Sequence, residues 1–453
     1  MRRRSCGGNV TMLMAIAAAL AAARVHAETI SVPCSTPALI AAINAANANP
    51  GVDVIELAAS CTYTLTLVDN VSNGANGLPV VTDSVVINGH GDTITRSSGA
   101  PSFRIFDFEP NPSGRTFELN DLTISGGQSC CTAAAGGAIR NGSTGTLVLS
   151  RVLLLNNNGG GGNGGAVYNA GGLALTDATI AQNDSGGGDG GGIYNDGGTF
   201  SATDSTLASN QTADTVTIGN GGGLFDNGGT STLTNCTVSG NSANAGGGIY
   251  NLGTLTLNNV TVAGNFTVGI TPDTGGGIFN FSEHTVNVRN SIIALNTDPV
   301  GPDCWSVTGG MVSGGYNLIG DADGCTWGAA TGDQVGSGTT PINPLLGLLR
   351  YNGGPTMTRA LLPGSPAIDA ANPGGCRGAD DNVLSTDQRG FPRPVAGDAD
   401  SDVICDIGAF EVQLVPSTVP ALSPQALIAL VVMLGFVGVR WLTRVDSGDD
   451  ATR

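Results

Sequence analysis

The stretch Gly246-Gly-Gly-Ile-Tyr-Asn-Leu-Gly-Thr-Leu-Thr-Leu-Asn-Asn-Val-Thr-Val-Ala-Gly-Asn265 decides the architecture. Apolar and polar residues alternate over 254–257 and again over 259–262, with a short third run at 249–250. Gly or Asn separates each run from the next, the pattern of short strands joined by tight corners. The opening motif recurs as Gly136-Gly-Ala-Ile-Arg-Asn141, Gly164-Gly-Ala-Val-Tyr-Asn169, Gly190-Gly-Gly-Ile-Tyr-Asn195 and Gly275-Gly-Gly-Ile-Phe-Asn280, while Gly221-Gly-Gly-Leu-Phe-Asp226 replaces the Asn. A second signature, aliphatic-x-x-Asn, reads Leu154…Asn157, Ile180…Asn183, Leu207…Asn210, Val238…Asn241, Val262…Asn265 and Ile293…Asn296, at spacings of 24 to 31 residues. Two positions before each aliphatic stand Val152, Ala178, Ser205, Cys236, Val260 and Ser291, and period-2 geometry puts both columns on one face.

Self-similarity at a fixed period marks a solenoid. Three short strands per period of about 27 residues predict an all-β parallel β-helix whose coils stack at ~4.8 Å. Aliphatic residues then stack inward and corner asparagines form ladders along the axis. Glycine supplies the φ > 0 conformations that sharp corners demand. Cys236, in an inward column, reads as a buried small hydrophobe in preference to a disulfide or reactive thiol.

Composition narrows the function. The chain has 453 residues, 71 of them Gly, and only 12% charged; its 18 basic residues are all Arg, against 36 acidic ones. Residues 1–27 read as a secretory signal, with Arg2, Arg3 and Arg4 before the apolar run 12–23 and Val25-His26-Ala27 as a small-residue cleavage site. Its removal takes four arginines and no acid, leaving a net charge of about −22, which repels nucleic acid. Nine of the ten cysteines remain. Pairs close in sequence and outside the regular repeats predict disulfides Cys34–Cys61, Cys304–Cys325 and Cys376–Cys405, with Cys130 and Cys131 left unassigned.

A short helix over 36–47, N-capped by Thr36 with Pro37 at its first position, is expected to lid the open end of the solenoid. Early, less regular strands are expected at 52–57, 62–67, 84–88, 103–108 and 116–125. From Asp298 the repeat dissolves into a Pro-, Asp- and Cys-rich region. The expected divisions are a signal (1–27), an N-terminal cap (28–61), β-helix repeats (62–297), a C-terminal cap with a loop-rich module (298–411), and a linker, membrane helix and tail (412–453). The last rests on 14 uninterrupted apolar or Gly residues at 426–439 within a 21-residue span, 422–442, followed by Arg440 and Arg444.

Three resemblances follow from these residues. The Gly-Gly-Ala-Ile and aliphatic-x-x-Asn repeats resemble those of polymorphic outer-membrane proteins, which implies a right-handed helix and a surface role. Asn352-Gly-Gly-Pro-Thr356, Leu361-Leu-Pro-Gly-Ser-Pro-Ala-Ile-Asp369, Asp387-Gln-Arg-Gly390 and Cys405-Asp-Ile-Gly-Ala-Phe-Glu411 resemble the choice-of-anchor Q domain of bacterial surface proteins, with Arg359 where that family has His. Val419-Pro-Ala-Leu-Ser423, the apolar run, Arg440 and Arg444 resemble an IPTL-CTERM sorting signal. In that family Val419, Pro420, Leu422, Arg440 and Arg444 correspond to the sorting residues. The resemblance implies an exported cell-envelope protein, first anchored in the inner membrane by its C-terminal helix and then processed or released by a sorting enzyme.

Candidate chemistry is sparse. A glycosidase needs two carboxylates ~5–9.5 Å apart over one cleft. Asp177 and Asp204 hold equivalent places on neighbouring coils, but Asp121, Asn235, Asn259 and Asn290 fill the same place elsewhere, so a corner residue making local bonds is the simpler reading. Asp196 and Asp226 also read as corner residues. His90 and His284 stand alone, which supports neither a His-centred triad nor a zinc site. Asp398, Asp400 and Asp402 alternate in a loop and suit Ca²⁺, the competing reading being a solvated acidic loop. No face carrying carboxylates and aromatics over consecutive coils is legible. The expectation is therefore a non-catalytic β-helix serving surface adhesion or contact with polysaccharide or a neighbouring cell surface. The alternative is a β-helix polysaccharide lyase or glycoside hydrolase.

Overall fold

A computed structural model describes residues 27–129, 136–212, 218–268, 274–397 and 403–413. The chain is an all-β parallel solenoid of about nine turns. In the quoted stretch the strands are Ile249–Asn251, Thr254–Asn258 and Thr261–Ala263, each paired in parallel with its counterpart one coil away. The strands Phe106–Phe108 to Cys304–Ser306 form one eight-stranded sheet, and the other two strand columns merge into a second, 20-stranded sheet. Parallel pairing starts at Thr29–Val32 and continues past the point where the sequence repeat fades, to Gln334–Val335. The remaining module contributes the antiparallel hairpin Leu346–Tyr351/Met357–Leu361.

Alternation places one side of each strand inward. Leu147, Leu173, Phe200, Ser231, Leu255 and Val286 form one inward stack, and all are buried. Bulky Phe200 lies beside small Ser231, so volume is compensated between coils. Leu154, Ile180, Leu207, Val238, Val262 and Ile293 form a second stack, each buried. Full burial of each such aliphatic contributes about 1.5–3 kcal/mol before chain entropy is charged against it. Cys236 is 1% exposed, and burial pushes its thiol up to about 12, so it is an inert core group as expected.

The polar core is a ladder. Asn157 Nδ2 donates to Asn183 Oδ1 at 3.0 Å, and the same step repeats to Asn210 (2.9 Å), Asn241 (3.0 Å), Asn265 (2.9 Å) and Asn296 (2.9 Å). Each acceptor oxygen also takes the backbone N–H of the preceding Asn, and from Asn157 to Asn296 each Nδ2 also bonds a carbonyl of the previous coil. Buried amides can persist only when satisfied in this way. The glycine motif serves two ends. Gly246 adopts φ +60, while a Cβ on Gly247 would collide with the carbonyl oxygens of Phe266 and Gly276.

The helix is Thr36–Ala48, with Pro37 in its first turn; its N-cap is Ser35 rather than Thr36, and Leu39, Ala42, Ile43 and Ala46 are buried. All three expected disulfides form, with Cα–Cα distances of 5.6, 5.4 and 6.1 Å for Cys34–Cys61, Cys304–Cys325 and Cys376–Cys405. Cys130 and Cys131 lie outside the described residues.

The localisation drawn from the sequence, an exported envelope protein held in the inner membrane by a helix, is corrected. Among the described residues no helix is long and apolar enough to cross a membrane. The helix Thr36–Ala48 has 13 residues, about 20 Å against a ~30 Å hydrocarbon core. The signal run, the span 422–442 and the tail residues Val419, Pro420, Leu422, Arg440 and Arg444 lie outside the described residues.

Asp226 departs from the corner reading: it lies within the strand Leu224–Asn227, fully buried. It stands in a second ladder, where Asn141, Asn169 and Asn195 each donate to the next coil, Asn195 reaching Asp226 Oδ1 at 3.0 Å. Its Oδ2 has no hydrogen-bond partner among the described residues, and burial raises its pKa. The folded state therefore holds this proton more tightly than the unfolded chain. The stability it confers is present at acid pH and is lost as pH rises from the ordinary carboxyl range through the raised value.

Two outcomes are expected. Asn210→Ala, which strands the buried donors of Asn183, lowers unfolding stability by about 2–4 kcal/mol in denaturant titration, while exposed Thr199→Ala stays within about 0.5 kcal/mol. Asp226→Asn raises the melting temperature more at pH 8 than at pH 5.

Candidate functional site

The two strand columns of the large sheet meet at a corner occupied in successive coils by His90, Asp121, Arg151, Asp177, Asp204, Asn235, Asn259 and Asn290. All eight have φ between +47 and +54. Asp and Asn are among the non-glycine residues that tolerate this left-handed region best. The corner reading of Asp177 and Asp204 therefore describes their backbone correctly.

The choice between Asp and Asn is not indifferent, however. Over Asn235, Asn259 and Asn290 lies the C-terminal module. Asn235 Nδ2 donates to Thr386 O at 3.0 Å and Asn259 Nδ2 to Arg377 O at 2.8 Å, while Asn290 Oδ1 accepts the Asn372 N–H at 3.4 Å. A carboxylate cannot donate, and desolvating it is costly. Asp121 lies on the open part of the same column, where Arg151 grips it in a bidentate pair and lowers its pKa. His90 contacts Glu56 at 2.8 Å. These coils line an open cleft of about 520 Å³ that includes His90, Asp121, Arg151 and Leu153.

Asp177 and Asp204 stand at the boundary, one coil (~4.8 Å) apart. Burial raises the pKa of Asp177 while Arg151 pulls it down. Burial also pushes Asp204 up to about 7, with the Asp177 charge adding to the rise. Asp204 Oδ1 is buried without a hydrogen-bond partner among the described residues. A carboxyl raised to about 7 beside a second carboxyl is a candidate for acid–base chemistry, but the module crowds Asp204. Thr356 Oγ1 donates to Asp204 O at 2.9 Å, and Gln388 Nε2 reaches Thr206 Oγ1 at 3.0 Å and Thr356 Oγ1 at 2.9 Å. Thr237 Oγ1 donates to Gln388 Oε1 at 2.6 Å, which leaves that side chain fully engaged and buried.

Asp387 holds Arg389, whose guanidinium lies 3.6 Å from the Phe410 ring centroid, and Arg393 pairs with Glu411 at 2.8 Å. Arg393 also reaches Asn235 Oδ1 at 3.2 Å, and Arg359 bonds Ser239 Oγ at 2.8 Å. The motif residues around Gln388 thus fasten the module to the rod. Sequence separations of 151 and 182 hide this docking from any local pattern.

Asp398, Asp400 and Asp402 lie outside the described residues. Nearby Asp406 and Glu411 are spent internally: Asp406 accepts the N–H groups of Asp369 and Val412, and Glu411 accepts from Arg393 and Val395. Among the described residues no group of three or more His, Cys, Asp or Glu side chains could hold a metal ion.

A column of stacked aromatic rings lies on the outer side of the eight-stranded sheet, and four of its five rings are buried. Tyr168, Tyr194, Phe225, Tyr250 and Phe279, the fifth residues of the glycine motif, stack with centroids 4.7–5.7 Å apart. Tyr168 also donates to Asp196, so Asp196 is an outward strand residue rather than a corner. The rings cover one another's faces, which suits stabilisation of the stack and not the docking of sugar rings.

No family model matches the chain, and no curated protein matches it. Among solved structures, the crystal structure of pectate lyase Pel9A aligns over 86% of this chain and 98% of its own, at 14% identity and a TM-score of 0.43. At that identity and score the likeness carries no argument for either function.

Proposed function

We propose that the protein is a non-catalytic binding rod whose hydroxyl-bearing sheet face contacts neutral polysaccharide. The observation that supports this most is the register of three outward columns. Thr146, Gly172, Thr199, Thr230, Thr254 and Thr285 form the first, with Val148, Ala174, Ser201, Thr232, Thr256 and Asn287 beside them. Ser150, Thr176, Thr203, Thr234, Asn258 and Arg289 form the third. Thr176, Thr199, Ser201, Thr203, Thr230 and Thr254 are exposed. Donors and acceptors recur at ~4.8 Å between coils and about 6.7 Å along each strand. Such a surface hydrogen-bonds an extended hydroxylated polymer without needing a deep pocket. The formal net charge of −18 disfavours anionic polymers. In this reading the helix Thr36–Ala48 lids one end of the rod, and the module around Gln388 clasps its flank.

A second reading, a polysaccharide hydrolase or lyase using Asp177 and Asp204, draws on the rise of Asp204 to about 7 beside Asp177.

Retention on a panel of insoluble neutral polysaccharides, assayed together with reducing-sugar and unsaturated-product release, separates the two. Binding without turnover is expected. The double variant Ser201→Arg/Thr232→Arg should lower it at least about tenfold, while Asp177→Asn and Asp204→Asn leave it unchanged. Product release that disappears in either Asp variant would establish the enzyme instead.

A further inference from the structure

The hydroxyl face ends in a cleft of about 200 Å³ between its last coils and the module loop at 377–381, lined by Thr256, Asn258, Asn287, Arg289, Val312 and Ala379. Asn258 is 2% exposed. Its Oδ1 lies 3.4 Å from Arg289 Nη2, which fixes the amide orientation, and its Nδ2 has no hydrogen-bond partner among the described residues. A buried amide donor left unpaired costs about 1–3 kcal/mol, a cost that an acceptor entering the cleft would relieve.

The surroundings define that acceptor. Arg289 is already neutralised: Nη1 donates to Asp381 Oδ1 at 2.7 Å and Nη2 to Gly378 O at 2.8 Å. Among the described residues that line the cleft there is therefore no free cation to attract a carboxylate or phosphate. Thr256, Asn287 and Ser313 add neutral donors and acceptors around its wall. Val312, 52% exposed, contributes an apolar surface at the same place. Neutral hydrogen-bonding groups beside a small apolar patch match a pyranose ring, which presents hydroxyls at its rim and C–H groups on its face. The loop that closes the cleft is held by Asn259 Nδ2 on Arg377 O at 2.8 Å and by Arg377 Nη1 on Asp381 O at 2.7 Å. The module thus supplies one wall of a site whose floor belongs to the rod.

We propose that this cleft is a single-sugar subsite for a neutral pyranose, with Asn258 Nδ2 donating to a ring or hydroxyl oxygen. The proposal rests on the glycan-binding reading above and gives the hydroxyl face a defined end, where one residue of a polymer is gripped.

The test uses the full chain and the methyl glycosides of glucose, mannose, galactose and N-acetylglucosamine, followed by saturation-transfer NMR and calorimetry. At least one probe should bind with a millimolar Kd, and Asn258→Ala should weaken it about 3- to 10-fold. Val312→Trp, a surface substitution that fills the cleft, should abolish the signal while the melting temperature holds. A Val312→Trp protein that binds the probe as tightly as the parent, or a parent that binds none of the four, overturns the subsite. Polysaccharide retention that persists in those cases leaves the face reading intact, whereas its loss at the outset removes both.

Discussion

The fold depends on one interaction, the chain of buried amides from Asn157 to Asn296. From Asn183 onward each side-chain oxygen accepts two N–H groups of the preceding coil while its amide donates to oxygens on both sides, so a coil shifted by one residue would strand several buried donors and acceptors together. Apolar stacking alone is non-directional and would tolerate such slips. With the ladder in place, the second glycine of each Gly-Gly motif lets the next coil close down, and outward residues fall into straight columns. Any function read from the outer surface inherits that regularity.

The corner column shows how one backbone requirement admits different chemistry. Every member needs the left-handed region, which confines the choice mostly to Asp and Asn. Beneath the module, Asn supplies donors to its carbonyls; in the open coils, Asp121 meets Arg151 in partly solvated surroundings. Asp204 sits where these environments meet, and its raised pKa follows from burial rather than from any arrangement around a substrate. A perturbed carboxyl is therefore weak evidence for catalysis here, because the docked module explains it.

Much of this was legible in the sequence. The alternating columns around Leu154, Ile180 and Leu207 report inward faces directly, because strand geometry is local. The ladder asparagines recur at coil spacing, and the cysteine pairs lie close in sequence. What failed was decided by distant groups or by solvation. Asp226 reads as a corner until its place in the strand Leu224–Asn227 is seen. The role of Gln388 depends on Thr206 and Thr237, and the orphan donor of Asn258 becomes visible only when the loop at 377–381 is in place. The aromatic column was present in the repeat as Tyr168, Tyr194, Phe225, Tyr250 and Phe279, but only their parallel stacking shows that the ring faces are occupied.

The central functional claim is that recognition uses the hydroxyl face and not the aromatic one, and hydrogen-exchange footprinting with a bound neutral polysaccharide tests it most directly. Protection should appear on peptides covering Thr199–Thr203, Thr230–Thr234 and Thr254–Asn258, with those covering Val167–Asn169, Ile193–Asp196 and Ile278–Asn280 unchanged. Protection confined to the aromatic column, or centred on Asp177 and Asp204, would contradict it.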